Sequence, residues 1–318
     1  MENCLLIGNG LNRCLEGSIS WDSLLQEVAE TLGVTHNKYI AMPLEYERII
    51  NSYLESHISK TDSIYLETKT RIANKLSNIL LPGKSIHQQL PSININTILT
   101  TNYDFLLEYT YNRSYKDAGT QQKYLPDATS TQGKVCFYHP HGIASRKLSL
   151  CLGYEHYMGI VEKMRTNLNR KENNEKEKML IKQRLYNELP FENTWYEKFY
   201  TSNIAIVGLG LTECEVDLWW LLTHRAFLYY SNYCGLQKKI VNYIVYYDII
   251  DDMKKNDADQ ENRREGNLSS QYNRHMLLSN EHVIVRKYHL SHYDGSYAEA
   301  YSSILDDLRR NGFQNNEI

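Results

Sequence analysis

Apolar runs of strand length alternate along the whole chain with stretches in which apolar residues recur every three or four positions. Continuous apolar runs suit strands buried on both faces, and the 3.6-residue period suits the helices that cover them. The predicted core strands are Cys4–Ile7, Thr97–Thr100, Val135–Tyr138, Ile204–Val207, Tyr243–Tyr247 and Val283–Val285. Strands alternating with helices place the chain in the α/β class, as a Rossmann-like parallel sheet covered by helices on both faces.

Between the strands, Ser20 is placed to cap a helix bearing Trp21, Leu24, Leu25, Val28, Ala29 and Leu32, whose apolar face is expected to lie on the sheet. From Pro43 to Leu81 the pattern is helical, with Ile49, Ile50, Tyr53 and Leu54, then Ile72, Leu76, Ile79 and Leu80. Val161 to Leu189 is rich in Lys, Glu, Asn and Arg, which predicts either a solvated helical hairpin or an arm for oligomerisation or a partner. Asp251 to Arg274, a second polar stretch, reads the same way, and its position just after a strand makes it a long connection expected to be mobile. Tyr297, Tyr301, Ile304, Leu305 and Leu308 predict a closing helix. The expected organisation is one domain over residues 1–318, with helical inserts around 40–85 and 155–195.

Composition narrows the classes. With 42% hydrophobic and 23% charged residues the chain can bury a sizeable core, and disorder is not expected. A net charge of -3 argues against a dedicated nucleic-acid surface, which needs clustered positive charge. The six cysteines form no C-x-x-C pair, so a zinc ribbon and a redox dithiol are not expected, and reduced thiols are. The N-terminus has neither a basic n-region nor an apolar h-region, and no apolar run is long enough for a bilayer, so a soluble cytoplasmic protein is expected.

Four patches carry candidate chemistry, each just past a predicted strand, where ligands of open α/β sheets bind. In the first, Gly8-Asn9-Gly10-Leu11-Asn12, glycines let backbone N–H groups approach a pyrophosphate, or simply make a strand-to-helix turn. The second is Thr101-Asn102-Tyr103-Asp104, where Asn102 and Asp104 either contact ligand or cap the following helix. The third is His139-Pro140-His141-Gly142, a pair that suits a metal, a structural role or catalysis; no further ligands stand in a recognisable frame, so no metal is expected. In the fourth, Gly208-Leu209-Gly210-Leu211, a second glycine turn precedes Glu215 and Asp217, which either bond a ribose hydroxyl or are first-turn acids favoured by the helix dipole.

Taken in this order, GNGLN, TTNYD, HPHG and GLGL with a downstream acid resemble the SIR2-like family of NAD-using enzymes, and more narrowly its branch in bacterial anti-phage defence proteins. The resemblance implies a NAD-binding domain in which Gly8, Asn9, Gly10 and Asn12 wrap the diphosphate and nicotinamide ribose. Thr101 lies on the same wall, and Asn102 and Asp104 match the N-x-D element that holds ribose and carboxamide. His141 matches the catalytic histidine, and Gly208, Gly210 and Asp248 fall on the adenosine side. Two departures matter: the zinc module of the deacylating sirtuins is absent, and GNGLN stands where they carry alanine between the glycines and a serine further on. The first pushes the expectation from deacylase toward hydrolase.

The expected activity is therefore hydrolysis of the nicotinamide–ribose bond of NAD, with Asn102 orienting ribose and water, Asp104 the carboxamide, and His141 acting as base toward a ribose hydroxyl or the water. The expected setting is a NAD-depleting effector gated by assembly, whose partners are NAD and a second copy of the chain or a defence-complex protein, with no membrane or nucleic acid. The alternatives are a deacylase or ADP-ribosyltransferase, and a non-catalytic nucleotide-sensing module.

Overall fold

The computed structural model describes residues 1–57, 61–77, 79, 85–169, 181–188, 191–231, 233–253 and 270–313. Among these, seven strands form one sheet: β1 (Glu2–Ile7), β2 (Thr97–Thr100), β3 (Ser130–Gln132), β4 (Val135–Tyr138), β5 (Ser202–Val207), β6 (Ile244–Ile250) and β7 (Ile284–His289). They lie in the order β3-β4-β2-β1-β5-β6-β7. Every pairing is parallel except β3 with β4, an antiparallel edge that the sequence pattern did not announce. Without β3 the order is the doubly wound one. The chain builds outward from β1 through β2 to β4, then crosses to β5 on the other side of β1, so the connections diverge between β1 and β5.

The register levels the strand ends on this crevice. Ile7 pairs with both Thr100 and Val207, and Leu99 pairs with Tyr138, so the loops after β1, β2, β4 and β5 leave the sheet within about one residue of the same height. All four candidate patches thus start on one rim.

Successive side chains of a strand face opposite sides, and β1 feeds two cores accordingly. Cys4 and Leu6 pack with Ile204, Ile206 and Tyr246 under helices α5 (Tyr154–Asn169) and α8 (Val216–Tyr230). Leu5 and Ile7 pack with Ala205, Val207 and Tyr247 under the closing helix at Tyr297–Asn311. Helices on both faces are therefore present as expected. The polar stretch from Val161 to Leu189 is partly held down: Met164, Leu168, Ile181 and Leu185 join the first core, while residues 170–180 and 189–190 lie outside the described residues.

Three expectations are corrected. Helix α1 (Trp21–Leu32), capped by Ser20 as predicted, does not lie on the sheet. Its Leu24, Leu25, Val28 and Ala29 pack instead on α2 (Met42–Ser56), α3 (Thr61–Leu76) and the loop residues Tyr103, Ala144, Leu150 and Leu152, a third core that contains no strand residue. Periodicity reveals a buried face without revealing its cover. Leu80 and Leu81, expected in this helical region, lie outside the described residues. The last strand runs to His289, beyond Val285, because an edge strand with Arg286, Lys287 and His289 lacks the apolar signature of a buried one. Finally, the polar stretch from Asp251 is not merely solvated. Residues 254–269 lie outside the described residues, but 270–280 are helical and serve the site below. No helix among the described residues is long and apolar enough to cross a membrane.

Candidate active site

The rim loops enclose a cavity of about 680 Å³, within the size range of small-molecule and cofactor sites. Its lining includes Asn9, Gly10 and Asn12 after β1; Thr101, Asn102 and Asp104 after β2; His141 after β4; Gly208, Gly210 and Glu215 after β5; and Asp248 on β6. Of the residues expected at a site, Asp217 and Gly8 are absent from the lining. Gly8 stands behind the wall, where its carbonyl accepts a hydrogen bond from Asn102 Nδ2 at 3.3 Å.

The two glycine loops are sewn together. Gly8 N–H donates to Val207 O at 3.1 Å, and Gly10 N–H donates to Gly208 O at 2.8 Å. These two amides are therefore committed inside the protein, which differs from the expected presentation to a pyrophosphate. What the glycines supply is close approach: a Cβ on Gly8 would lie 2.5 Å from Gly208 O and 2.6 Å from Leu209 Cα. Gly8→Ala is expected to force the seam apart and lower stability by about 1–3 kcal/mol, as overpacking does. Urea denaturation reads this, and an unchanged midpoint would show that the seam is slack.

Asn102 is held from three sides. Its N–H donates to Thr100 Oγ1 at 3.1 Å, its carbonyl accepts from His139 Nδ1 at 2.9 Å, and its Nδ2 is on Gly8 O. Its Oδ1 takes no hydrogen bond from the described residues. Asp104 also lines the cavity, but both carboxylate oxygens are already engaged, Oδ1 by Leu106 N–H at 3.0 Å and Oδ2 by Asn12 Nδ2 at 2.8 Å. The first contact is the local helix-start role weighed for it; the second braces Asn12. Burial raises the Asp104 pKa to about 6 against the Leu106 amide and the charge of His139. Asn12 Oδ1 in turn accepts from His87 Nε2 at 2.9 Å, and burial holds His87 neutral, with a pKa lowered to about 4. Asn12 is thus a fixed post between a carboxylate and an imidazole.

The two histidines of the third patch do not share a ligand. His139 is fully buried between Asn102 O and Glu108 Oε1, each 2.9 Å from a ring nitrogen. The carbonyl can only accept, so Nδ1 carries a proton, and a second proton lies between Nε2 and Glu108. Burial disfavours the imidazolium, but the charge and hydrogen bond of Glu108 outweigh it, and the His139 pKa is raised. His139 is a strut for the Asn102 backbone.

His141 turns to the other side. Gly142, at φ 97°, makes the turn that follows it, with no room for a Cβ against the Ser149 carbonyl. His141 Nε2 lies 2.9 Å from Asp217 Oδ2, and the ring meets Tyr157 edge-on at 5.1 Å. An ionised carboxylate accepts only, so Nε2 carries the proton and Nδ1 is left as the ring's lone-pair nitrogen. Burial lowers the proton affinity of His141, but the charge of Asp217, the hydrogen bond to it and the charge of Glu215 prevail, and the pKa is raised. Among the described residues no three His, Cys, Asp or Glu side chains come together as a metal site.

Asp217 is fully buried, in the first turn of α8. It is the functional residue whose role the sequence did not reveal. Its position suggested a helix-dipole acid or a ribose contact, and nothing in the spacing pointed to His141, 76 residues away. Glu215 lines the cavity beside it, and burial raises its pKa to about 7, opposed by the charge of His141 and aided by that of Asp217.

Asp248 lines the cavity at the far side, yet its carboxylate is already crowded. Oδ2 accepts from Gln271 Nε2 at 2.8 Å, Arg274 Nη2 at 3.1 Å and His275 Nε2 at 2.6 Å, all from helix 270–280, and Oδ1 from Tyr246 Oη at 3.4 Å. Asp248 thus anchors that helix, and Arg274 brings a cation to the cavity wall. Tyr301, read from the sequence as a core position, also reaches the lining from the closing helix, with its hydroxyl against Gly10.

Residues 96–219 match the family model of the SIR2-like domain. The matched stretch includes Asn102, Asp104, His141, Gly208, Gly210, Glu215 and Asp217, and leaves the loop after β1 and Asp248 outside it. No curated protein matches the chain significantly.

Proposed function

We propose that this chain, whose residues 96–219 match the SIR2-like domain, uses NAD and is a NAD+ glycohydrolase that cuts the nicotinamide–ribose bond to give nicotinamide and ADP-ribose. The observation that carries this reading is the pairing of His141 with the buried Asp217 on the wall of the cavity that Asn102 and both glycine loops line.

The chemistry suits such a site. Nicotinamide leaves a cationic ring as a neutral one, so its departure needs no acid, and the barrier is positive charge developing on the ribose carbon. A site catalyses this by favouring the oxocarbenium-like state over bound substrate. In this reading the Asn102 amide orients the ribose through its unoccupied Oδ1, and His141 Nδ1 withdraws the proton of a ribose hydroxyl. The carboxylate of Asp217, behind the imidazole, offsets the developing charge. Asn12 and Asp104 keep the loop after β1 against the loop after β2.

Purified protein incubated with NAD tests this by chromatography of the products. Nicotinamide and free ADP-ribose are expected in equal amounts. Modified protein in place of free ADP-ribose would assign a transferase, and NAD-dependent thermal stabilisation without product would assign a sensing module.

Depletion of NAD harms the cell that makes such an enzyme, so the reading extends to an anti-phage effector of the cytoplasm, silent until it assembles with copies of itself or with a defence partner. Turnover that rises more steeply than protein concentration is expected. Full specific activity in the dilute monomer would end the idea of gating by assembly.

A further inference from the structure

Glu215 has a place in the cavity that neither His141 nor Asp217 duplicates. One of its oxygens, Oε2, accepts from the Thr212 N–H at 2.9 Å, which fixes the carboxylate at the start of α8. The other oxygen has no partner among the described residues and opens to the cavity that Glu215 lines. Two residues on, Asp217 points inward and is consumed by His141. One helix start thus supplies two carboxylates, the second enclosed behind the imidazole and the first beside it with a free oxygen.

We propose that Glu215 is the base that takes the proton of the attacking water, a catalytic role separate from that of His141; this rests on the NAD+ glycohydrolase reading. In the step, the water oxygen bonds to the ribose carbon as the carbon–nitrogen bond breaks. The bonding pair passes to the nicotinamide nitrogen, which becomes neutral, and the water proton goes to the free oxygen of Glu215 and then to solvent. A carboxyl whose proton affinity is raised to about 7 is matched to accepting and releasing a proton near neutrality.

Water must lose a proton to complete this attack, whereas a nicotinamide molecule attacking the same carbon loses none. The two reactions therefore separate Glu215 from the rest of the site. Wild-type protein, E215Q and E215D are incubated with NAD and labelled free nicotinamide, and ADP-ribose formation and label exchange into NAD are followed together. In E215Q, hydrolysis is expected to fall by about a hundredfold or more, with exchange kept within about threefold, a ratio that a merely structural role would not produce. E215D, which retains a carboxylate, is expected to recover part of the hydrolysis. Hydrolysis by E215Q at the wild-type rate overturns the proposal. So does equal loss of both reactions in protein whose thermal shift with ADP-ribose matches wild type. Wild-type protein that neither hydrolyses nor exchanges overturns the glycohydrolase reading itself, a result distinct from either.

Discussion

Nicotinamide release is expected to fall by about two to four powers of ten when either His141 or Asn102 is replaced, the usual worth of a positioned acid–base group. The choice of replacement matters. His141→Ala strands Asp217, a fully buried carboxylate whose other oxygen already has no hydrogen-bond partner. Removing one member of such a pair costs about 3–5 kcal/mol, so a dead His141→Ala enzyme is also a weakened one. His141→Gln keeps an N–H donor within reach of Asp217 and removes the base, and is expected to be inactive at nearly wild-type stability. Asn102→Ala gives up one long bond to the Gly8 carbonyl, while its main chain stays held by Thr100 and His139, so its fold is expected to survive. Product assays and thermal melts are read together. Release within tenfold of wild type in both His141→Gln and Asn102→Ala would remove the roles assigned to them.

Asp217→Asn is expected to change the pH profile as well as the rate. His141 acts as a base only when neutral, so the acid limb of activity follows its pKa, which lies above the ordinary imidazole value because of Asp217 and, less, Glu215. Asparagine removes the nearer charge. The limb therefore moves to lower pH, while the maximal rate drops by about two to four powers of ten because the ring's tautomer is no longer enforced. Stability carries the same sign. A histidine with a raised folded pKa contributes stability that is fully present below its unfolded pKa of about 6.5 and is lost as pH rises through the folded value. The wild-type advantage over Asp217→Asn is thus expected to be largest in mildly acidic solution and to shrink toward alkaline pH, as urea titrations can show. An acid limb that stays in place would mean that Asp217 does not govern the protonation of His141.

Some of this was legible along the chain, for a local reason. Strands buried on both faces must be continuously apolar, so all six predicted runs fall on strands of the sheet, and turn residues past their ends mark the cavity rim. Thr101, Asn102, Asp104 and His141 could be picked out because each sits just beyond a strand's carboxyl end. What each of them bonds was not legible. Glu108 and Asp217, the partners of His139 and His141, lie 31 and 76 residues from them. Asp248, expected on the adenosine side, lines the cavity, but its bonds to Gln271, Arg274 and His275, which anchor helix 270–280, were not legible.

By itself, then, the amino-acid order determined the α/β class, the strands of the buried sheet and the loops that carry polar side chains to its rim, because these depend on backbone propensity and on burial that neighbours in the chain already record. Tertiary structure alone decided the order of the strands and the cover of helix α1. It also turned Gly8 and Gly10 to a seam between loops, and chose which carboxylate each buried histidine would meet. Those outcomes depend on approach between segments far apart in the chain, where the low dielectric of the interior makes a partner obligatory without saying in advance which one it will be.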